Sequence, residues 1–116
     1  MKNQKNIPEK VIKNQIMAYL KHKGIYCWVN DSVGIFDQKR MIYRKNKSQY
    51  KINGTSDIIG ILNNGIMLCI EVKSKVGYPS EDQKLFIKNI LNNNGHAFVA
   101  RSIEDVIEYF REKNIV

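Results

Sequence analysis

The sequence has few cysteines and no long apolar segment, and each shortage excludes a class of protein. Its two cysteines, Cys27 and Cys69, each lie inside an apolar run and form no Cys-x-x-Cys motif. They indicate buried thiols in a reducing compartment rather than a disulfide framework or a zinc site. The longest unbroken apolar runs, such as residues 25–29 and 66–70, have five residues, whereas a membrane-spanning helix needs about 20. The first ten residues lack the apolar core of a signal peptide, so we expect a cytoplasmic protein.

Acidic residues are scarce in the first half of the chain. Residues 1–53 contain 12 basic and 3 acidic side chains, whereas residues 54–116 contain 7 and 8. The net charge of the 116 residues is +8, and the stretch from Gln38 to Ser56 contains no acid at all. Because a strongly basic face attracts polyanions, the first half is predicted to bind one.

Prolines and glycines are also few, and they form no linker, so we predict a single domain over residues 1–116. Helical spacing, capping residues and turn residues indicate the elements. The prediction comprises a helix from Pro8 to Gly24, a strand over 25–30, a polar stretch over 31–54 that resembles an irregular hairpin, strands over 56–62 and 66–73, a helix from Ser80 to about Asn94, a strand over 97–100 and a helix from Ser102 to about Arg111. This order is that of a mixed α/β domain.

The two central strands place two carboxylates where burial makes them unfavourable. The turn at residues 63–65 (Asn-Asn-Gly) predicts a three-residue hairpin loop, a register that sets Asp57 opposite Glu71. One face then carries Asp57, Ile59, Ile61, Met67, Cys69, Glu71 and Lys73, and the other carries Ile58, Leu62, Leu68, Ile70 and Val72. Both faces are largely apolar, so we expect other elements to cover both. Opposed buried carboxylates repel each other, and a divalent cation such as Mg²⁺ between them would turn that cost into a binding site.

Lys73 lies on the same face as Glu71, two residues further along the strand. Its ammonium group can therefore stand beside a bound metal or a phosphate under attack. The alternative is an ordinary ion pair between Lys73 and Glu71 at a strand end, with Asp57 as a turn residue. The opposed position of Asp57 on a buried strand pair favours the functional interpretation.

These motifs, taken in order, resemble the core of PD-(D/E)XK nucleases and, more narrowly, a stand-alone VRR-NUC (virus-type replication-repair nuclease) domain. The resemblance rests on Gly54-Thr55-Ser56-Asp57, the hairpin and Glu71-Val72-Lys73, with Ser56 in place of the usual Pro. It extends from the helix with Glu9 through Trp28-Val29-Asn30 to Ser80-x-x-Gln83 and Gly95-His96-Ala97. It implies a restriction-endonuclease-like fold, in which a mixed central sheet is flanked by helices in the order α-β-β-β-α-β-α.

The chemistry that the resemblance implies is metal-dependent hydrolysis of phosphodiester bonds. Asp57, Glu71 and the backbone carbonyl of Val72 would hold Mg²⁺, for which Mn²⁺ would substitute. Lys73 would be the catalytic lysine. Glu9, on the core side of the first helix, would add a further carboxylate; its alternative role is that of an exposed first-turn acid favoured by the helix dipole.

Four further polar residues carry weaker signals. Gln83 shares a helix face with apolar residues, and a Gln at this place approaches the active site in the family; helix capping is its alternative role, and the two are compatible. Asn30, which ends an apolar strand, is either a contact of the site or a turn residue. His22 and His96 have no partners at ligand spacing and are interpreted as structural.

The acid-free stretch would hold the nucleic acid, and its alternative role is that of a solvated loop that keeps the protein soluble. The predicted DNA contacts are Lys39, Arg40, Arg44, Lys45, Lys47 and Lys51, interleaved with Tyr43 and Tyr50. Such contacts bind the phosphate backbone without reading sequence, so we expect structure-selective, salt-sensitive binding.

The resulting hypothesis is an Mg²⁺-dependent, structure-selective endodeoxyribonuclease in a bacterial or phage-infected cell. Small stand-alone domains of the family resemble homodimeric Holliday junction resolvases, which act in DNA repair and recombination. Two active sites related by a two-fold axis can nick two strands of a branched DNA symmetrically. Two alternatives stay open, namely a monomeric flap, nicking or restriction-like nuclease of the same fold, and a non-catalytic DNA-binding module.

Overall fold

The chain alternates helices and strands around one main sheet. The computed structural model describes residues 6–30, 35–37, 42–44 and 48–115. In chain order the elements are α1 (Glu9–His22), β1 (Tyr26–Val29), β2 (Ile35–Asp37), β3 (Ile42–Arg44), β4 (Ile58–Ile61), β5 (Met67–Val72), α2 (Glu81–Asn92), β6 (His96–Ala100) and α3 (Ile103–Glu112). This order confirms the predicted mixed α/β fold.

The main sheet has four strands in the order β1-β4-β5-β6. The pairs β1–β4 and β4–β5 are antiparallel, whereas β6 runs parallel to β5 because α2 carries the chain back across the sheet. β2 and β3 pair with each other as a separate antiparallel hairpin. That hairpin lies inside the polar stretch where an irregular hairpin is predicted.

The β4–β5 turn has the predicted geometry. Gly65 has a φ of +84°, the left-handed conformation that closes a three-residue loop at low steric cost. The amide nitrogen of Leu62 donates to the carbonyl oxygen of Ile66 at 2.9 Å, so these residues face each other. The register that follows along the hairpin is therefore the predicted one.

Capping residues begin the helices where the sequence indicates. α1 starts directly after Pro8. The Ser80 side chain and the Gln83 side chain form the full predicted capping box at the start of α2. At α3, the Ser102 side chain accepts from the amide of Asp105, but the Asp105 carboxylate accepts from the amide of Arg101 instead of completing a box. In the described part of the chain, no helix has both the length and the apolar content to cross a membrane.

The two faces of the main sheet are packed by different helices. The larger core, formed with α1 and α3, contains Ile12, Ile16, Leu20, Ile25, Cys27, Ile58, Leu62, Leu68, Ile70, Val72, Ala100, Val106 and Phe110. A smaller core under α2 contains Cys69, Phe86 and Ala97, with Ile59, Ile87 and Ile90 packed against it. The two cysteines, one in each core, are buried free thiols as predicted.

The α2 face of the sheet is only partly covered, which corrects the expectation that the hairpin is enclosed on both sides along its length. α2 packs on β5 and β6, and the outer strand β1 lies beyond its reach. Ile61 and Met67, near the β4–β5 turn, are therefore 43% and 37% exposed. Tyr26 and Trp28 of β1 are exposed as well.

Candidate active site

Asp57 and Glu71 face each other across the central hairpin. Asp57 directly precedes β4, and the pairing of Ile58 with Ile70 sets it opposite Glu71 in β5, as predicted. The Asp57 Oδ2 atom accepts a hydrogen bond from the amide nitrogen of Val72 at 2.8 Å. The carboxyl group of Asp57 also contributes to the raised pKa of Glu71.

The surroundings of Glu71 favour the protonated form of its side chain. Its residue is 1% exposed, and its pKa is raised to about 8, chiefly because burial disfavours the carboxylate. The neighbouring carboxyl group of Asp57 and the negative charge of Glu9 raise the pKa of Glu71 further, whereas the nearby ammonium group of Lys73 opposes them. A carboxyl group held in this way is unusual for a structural residue and typical of a functional site.

The two oxygens of Glu71 have different surroundings. Its Oε2 atom accepts a hydrogen bond from Gln83 Nε2 at 3.1 Å and lies 3.8 Å from Lys73 Nζ. Its Oε1 atom is buried and has no hydrogen-bond partner among the described residues. A buried carboxylate oxygen without a partner is unfavourable by about 1–3 kcal/mol or more, and a cation at that oxygen would remove the penalty.

The donors around this oxygen fit a magnesium ion. Asp57 and Glu71 supply carboxylate oxygens, and Val72, the last residue of β5, adds a backbone carbonyl nearby. No group of three His, Cys, Asp or Glu side chains in the described residues is arranged to hold a metal by itself. Mg²⁺ usually takes only one or two protein carboxylates and completes its shell with water and substrate phosphate, so two carboxylates suffice.

Gln83 has both of the roles considered for it. Its Oε1 atom accepts from the amide nitrogen of Ser80 at 2.8 Å, which caps α2, while its Nε2 atom donates to Glu71. One amide group therefore connects the start of α2 to the buried carboxyl. The α2 capping box fixes the orientation of Glu71 as well as the helix end.

Glu9 lies at the edge of the site rather than in its buried centre. A Cβ atom placed on Gly77 would lie 3.5 Å from Glu9 Oε1 and 3.6 Å from Lys73 Cδ, so both side chains border the same glycine. The residue itself is exposed, yet its charge contributes to the raised pKa of Glu71. α1 thus brings Glu9 to the border of the site. Its exposure in the first turn agrees with the alternative role of a first-turn acid, and its role as a metal ligand stays a prediction.

Asn30 anchors the segment that carries Asp57. Its Nδ2 atom donates to Thr55 Oγ1 at 2.8 Å and to the carbonyl oxygen of Ser56 at 3.2 Å. Its amide nitrogen donates to the carbonyl oxygen of Asp57 at 2.7 Å. The sequence is compatible with Asn30 as a contact of the site or as a turn residue, and in the structure Asn30 supports the turn before β4.

Gly54 allows the same turn to pack directly against the backbone of α2. Gly54 has a φ of +75°, and a Cβ atom there would lie 2.4 Å from the backbone carbonyl carbon of Asp82. Only glycine permits this approach. Ser56, the residue before Asp57, is fully buried, and its Oγ atom has no hydrogen-bond partner within the described residues.

Arg101 is a supporting residue that sequence reasoning missed. Its Nη1 atom donates to the carbonyl oxygens of Ser74 at 2.6 Å and Gly77 at 2.5 Å, and its guanidinium lies 5.5 Å from the centre of the Tyr78 ring. These contacts hold the loop that follows Lys73. A basic residue after a short strand gives no sequence signal for such contacts, because both carbonyls lie more than 20 residues away.

Most predicted DNA contacts cannot be compared with the structure. Lys39, Arg40, Lys45 and Lys47 lie outside the described residues, and so does the side chain of Arg44. Lys51 is described and exposed. Among the histidines, His96 Nδ1 lies 3.0 Å from the Tyr109 hydroxyl, and His22 is exposed at the end of α1.

Comparison with known proteins gives one match. The model of the VRR-NUC domain family matches residues 2–104 of the chain. No curated protein and no solved structure matches the chain. The matched range includes Glu9, Asp57 and Glu71, together with Lys73, Gln83 and Arg101.

Proposed function

The chain belongs to the VRR-NUC domain family, and from that premise we propose that it is a metal-dependent endonuclease that hydrolyses phosphodiester bonds of branched DNA. Membership indicates a nuclease of the PD-(D/E)XK type. Beyond that, we propose a requirement for a divalent metal ion, branched DNA as the substrate and a homodimeric assembly.

The opposed pair of Asp57 and Glu71 is the observation that supports the metal. An ion pair between Lys73 and Glu71 would account for one oxygen of Glu71, since Lys73 Nζ lies 3.8 Å from Oε2. It would leave the buried Oε1 without a partner among the described residues, and it would not explain why Asp57 lies opposite Glu71. A divalent cation accounts for both features, because it satisfies the oxygen and removes the repulsion between the carboxylates.

In the proposed site, Asp57, Glu71 and the Val72 carbonyl hold Mg²⁺ or Mn²⁺, and Glu9 adds a further carboxylate at the edge. When bound, the ion would lower the pKa of water and neutralise negative charge that develops on the phosphate. Glu71 must release its proton for the site to load, because only its carboxylate form is a strong ligand. Metal binding should therefore strengthen as the pH rises towards the raised pKa of Glu71.

Lys73 supplies positive charge beside this site. Its side chain is 15% exposed, so the ammonium group is held by the protein but accessible to a phosphate from solvent. There it would stabilise negative charge that accumulates on the phosphate oxygens during attack. Gln83 acts as a positioning residue, because its hydrogen bond fixes the carboxyl of Glu71.

The acid-free stretch between residues 38 and 56 would hold the DNA backbone. Each Lys or Arg that neutralises a phosphate steepens the dependence of log affinity on log salt by about one unit. Lys51→Ala is therefore expected to reduce that slope by about one unit. Fluorescence anisotropy of a labelled duplex, measured across a salt series, tests this expectation.

Lys113→Ala is the matched control, since Lys113 is exposed and lies with Asn63 and Asn64 at the opposite end of the sheet from Asp57. We expect this variant to keep the wild-type slope. Equal slopes for Lys51→Ala and the wild type would remove Lys51 from the proposed DNA surface.

A homodimeric Holliday junction resolvase is the specific form of the proposal. It is tested by comparing the cleavage of a four-way junction, a flap and a plain duplex in Mg²⁺, together with the molecular mass in solution. A dimer that makes paired, symmetric nicks in the junction is the expected result. A monomer that prefers flaps or duplex would replace the resolvase with the alternative nuclease. A protein that binds all three DNAs and cleaves none would be a DNA-binding module.

A further inference from the structure

Two aromatic side chains lie on the same face of the sheet as the candidate active site. Cys27 belongs to the core under α1 and α3. Since side chains alternate along a strand, Tyr26 and Trp28 point to the opposite face, which is the face of Ile59 and Glu71. Their rings are 5.7 Å apart between centroids and meet at 61°, an edge-to-face pair.

The register places this pair directly beside the carboxylates. Trp28 pairs with Ile59. Two residues later, directly after β1, the amide nitrogen of Asn30 donates to the carbonyl oxygen of Asp57. Trp28 is therefore one row away from Asp57, on the neighbouring strand and the same face, at a diagonal separation of about 7–8 Å. Tyr26 lies one row further out, opposite Ile61.

Solvent reaches both rings because, among the elements that the structure describes, α2 packs mainly on β5 and β6 and leaves β1 uncovered. Trp28 is 42% exposed and Tyr26 is 70% exposed. Together with Ile61 and Met67 they form an open apolar surface that ends at the active site, and we call these four residues the aromatic platform.

We propose that the aromatic platform stacks unpaired nucleobases next to the phosphate that is cleaved. The inference rests on the proposed nuclease function. Bases within a duplex already stack on each other, so the platform would select DNA with unpaired bases at the cleavage point, such as a branch point or single strand.

Position and charge favour a nucleobase over a protein partner on this surface. A second copy or another protein seated one row from Asp57 would block the approach of DNA to the carboxylates from this side. The platform strand also belongs to the half of the chain with 12 basic and 3 acidic residues, which suits a polyanion. Aromatic rings bordered by cations are the usual means of binding single-stranded nucleic acid.

Trp28 is the only tryptophan of the chain, so its fluorescence reports on the platform alone. The experiment titrates the protein in EDTA, which prevents cleavage, with a labelled oligothymidylate and with a sugar-phosphate chain of the same length that lacks bases. The oligothymidylate is expected to quench Trp28 emission, and the abasic chain is expected to bind without quenching it. Anisotropy of the label measures binding separately.

Variants extend the test to affinity. Trp28→Leu keeps an apolar side chain but removes the ring, and it is expected to weaken oligothymidylate binding by roughly 5- to 150-fold. Trp28→Phe keeps a ring and should retain most of the affinity. Tyr26→Ser, at the more exposed position, provides a second variant that leaves the core intact. Binding of the abasic chain should change little in all three.

The outcomes separate this inference from the proposed function. Binding of oligothymidylate without quenching, or equal affinity of Trp28→Leu and the wild type, would overturn the platform while leaving the nuclease proposal in place. No binding of any DNA would overturn both. Trp28 emission that depends on protein concentration without DNA would assign the surface to a second copy of the chain, and this too would overturn the platform.

Discussion

Asp57→Asn is expected to lower the rate of DNA cleavage by roughly 10³-fold or more, since the loss of a metal-binding carboxylate removes several kcal/mol of transition-state stabilisation. The substitution is nearly isosteric, and the Asn carbonyl can still accept the hydrogen bond from the Val72 amide that Asp57 accepts at 2.8 Å. The fold should therefore survive. Single-turnover cleavage of a labelled junction in Mg²⁺ measures the effect.

The matched control is Glu108→Gln, which also removes one negative charge. Glu108 lies on α3, where its carboxylate pairs with Arg111 at the surface. We expect this variant to cleave at the wild-type rate. Anisotropy should show that Asp57→Asn binds DNA with at least wild-type affinity, because less negative charge remains beside the phosphate. A cleavage rate for Asp57→Asn within a few-fold of wild type would remove Asp57 from the catalytic machinery.

Glu71→Gln is expected to abolish cleavage and yet stabilise the metal-free protein at alkaline pH. The folded-state pKa of Glu71 is raised to about 8 from 4.5. Its contribution to stability is therefore fully present below pH 4.5 and is lost as the pH rises to about 8. The free energy of unfolding falls by about 1.4 kcal/mol for each pH unit in this interval, and by on the order of 5 kcal/mol in total. Gln is neutral at every pH and escapes that loss.

Urea unfolding in EDTA at pH 5 and pH 9 measures this difference. The free energy of unfolding of Glu71→Gln should exceed that of the wild type by roughly 3–4 kcal/mol more at pH 9 than at pH 5. Glu81→Gln is the control, because the side chain of Glu81 is 92% exposed, and it should follow the wild type at both values. A pH-independent difference between Glu71→Gln and the wild type would show that the pKa of Glu71 is not raised.

The expected loss of stability at alkaline pH and the proposed metal binding would both follow from the same pair of carboxyl groups. A buried carboxyl beside a second carboxyl is unfavourable for stability, and the same arrangement is useful when a cation binds there. The cost is local, since the hydrophobic contacts around the pair are well packed, with Ile58, Ile70 and Val72 almost fully buried. The fold can therefore sustain an unfavourable site at its centre.

The central hairpin was predictable because local chemistry determines it. The Asn-Asn-Gly turn at residues 63–65 fixes the register, and the two-residue period then decides which face each side chain occupies. The prediction that Asp57 lies opposite Glu71 needed nothing more, and the structure confirms it. The capping box at Ser80 and Gln83 is likewise a local pattern, and it forms as predicted.

Other features could not be predicted because they depend on contacts between distant parts of the chain. The Arg101 contacts to the loop after Lys73 join the end of β6 to residues more than 20 positions earlier. The exposure of Trp28 depends on which strands α2 covers, and no periodicity in the sequence indicates the lateral position of a helix on a sheet. The hydrogen bond from Gln83 to Glu71 depends both on the capping box at the start of α2 and on the lateral position of α2 on the sheet.

The most direct test of the central claim, that opposed carboxylates hold a divalent cation for phosphodiester hydrolysis, is the cleavage rate of labelled branched DNA by the wild-type protein across a Mg²⁺ titration that starts in EDTA. We predict no cleavage in EDTA, a rate that rises with Mg²⁺ to a plateau, and recovery of activity when Mn²⁺ replaces Mg²⁺. Cleavage at the full rate in EDTA would contradict the claim, and so would the absence of cleavage at every concentration of both metals.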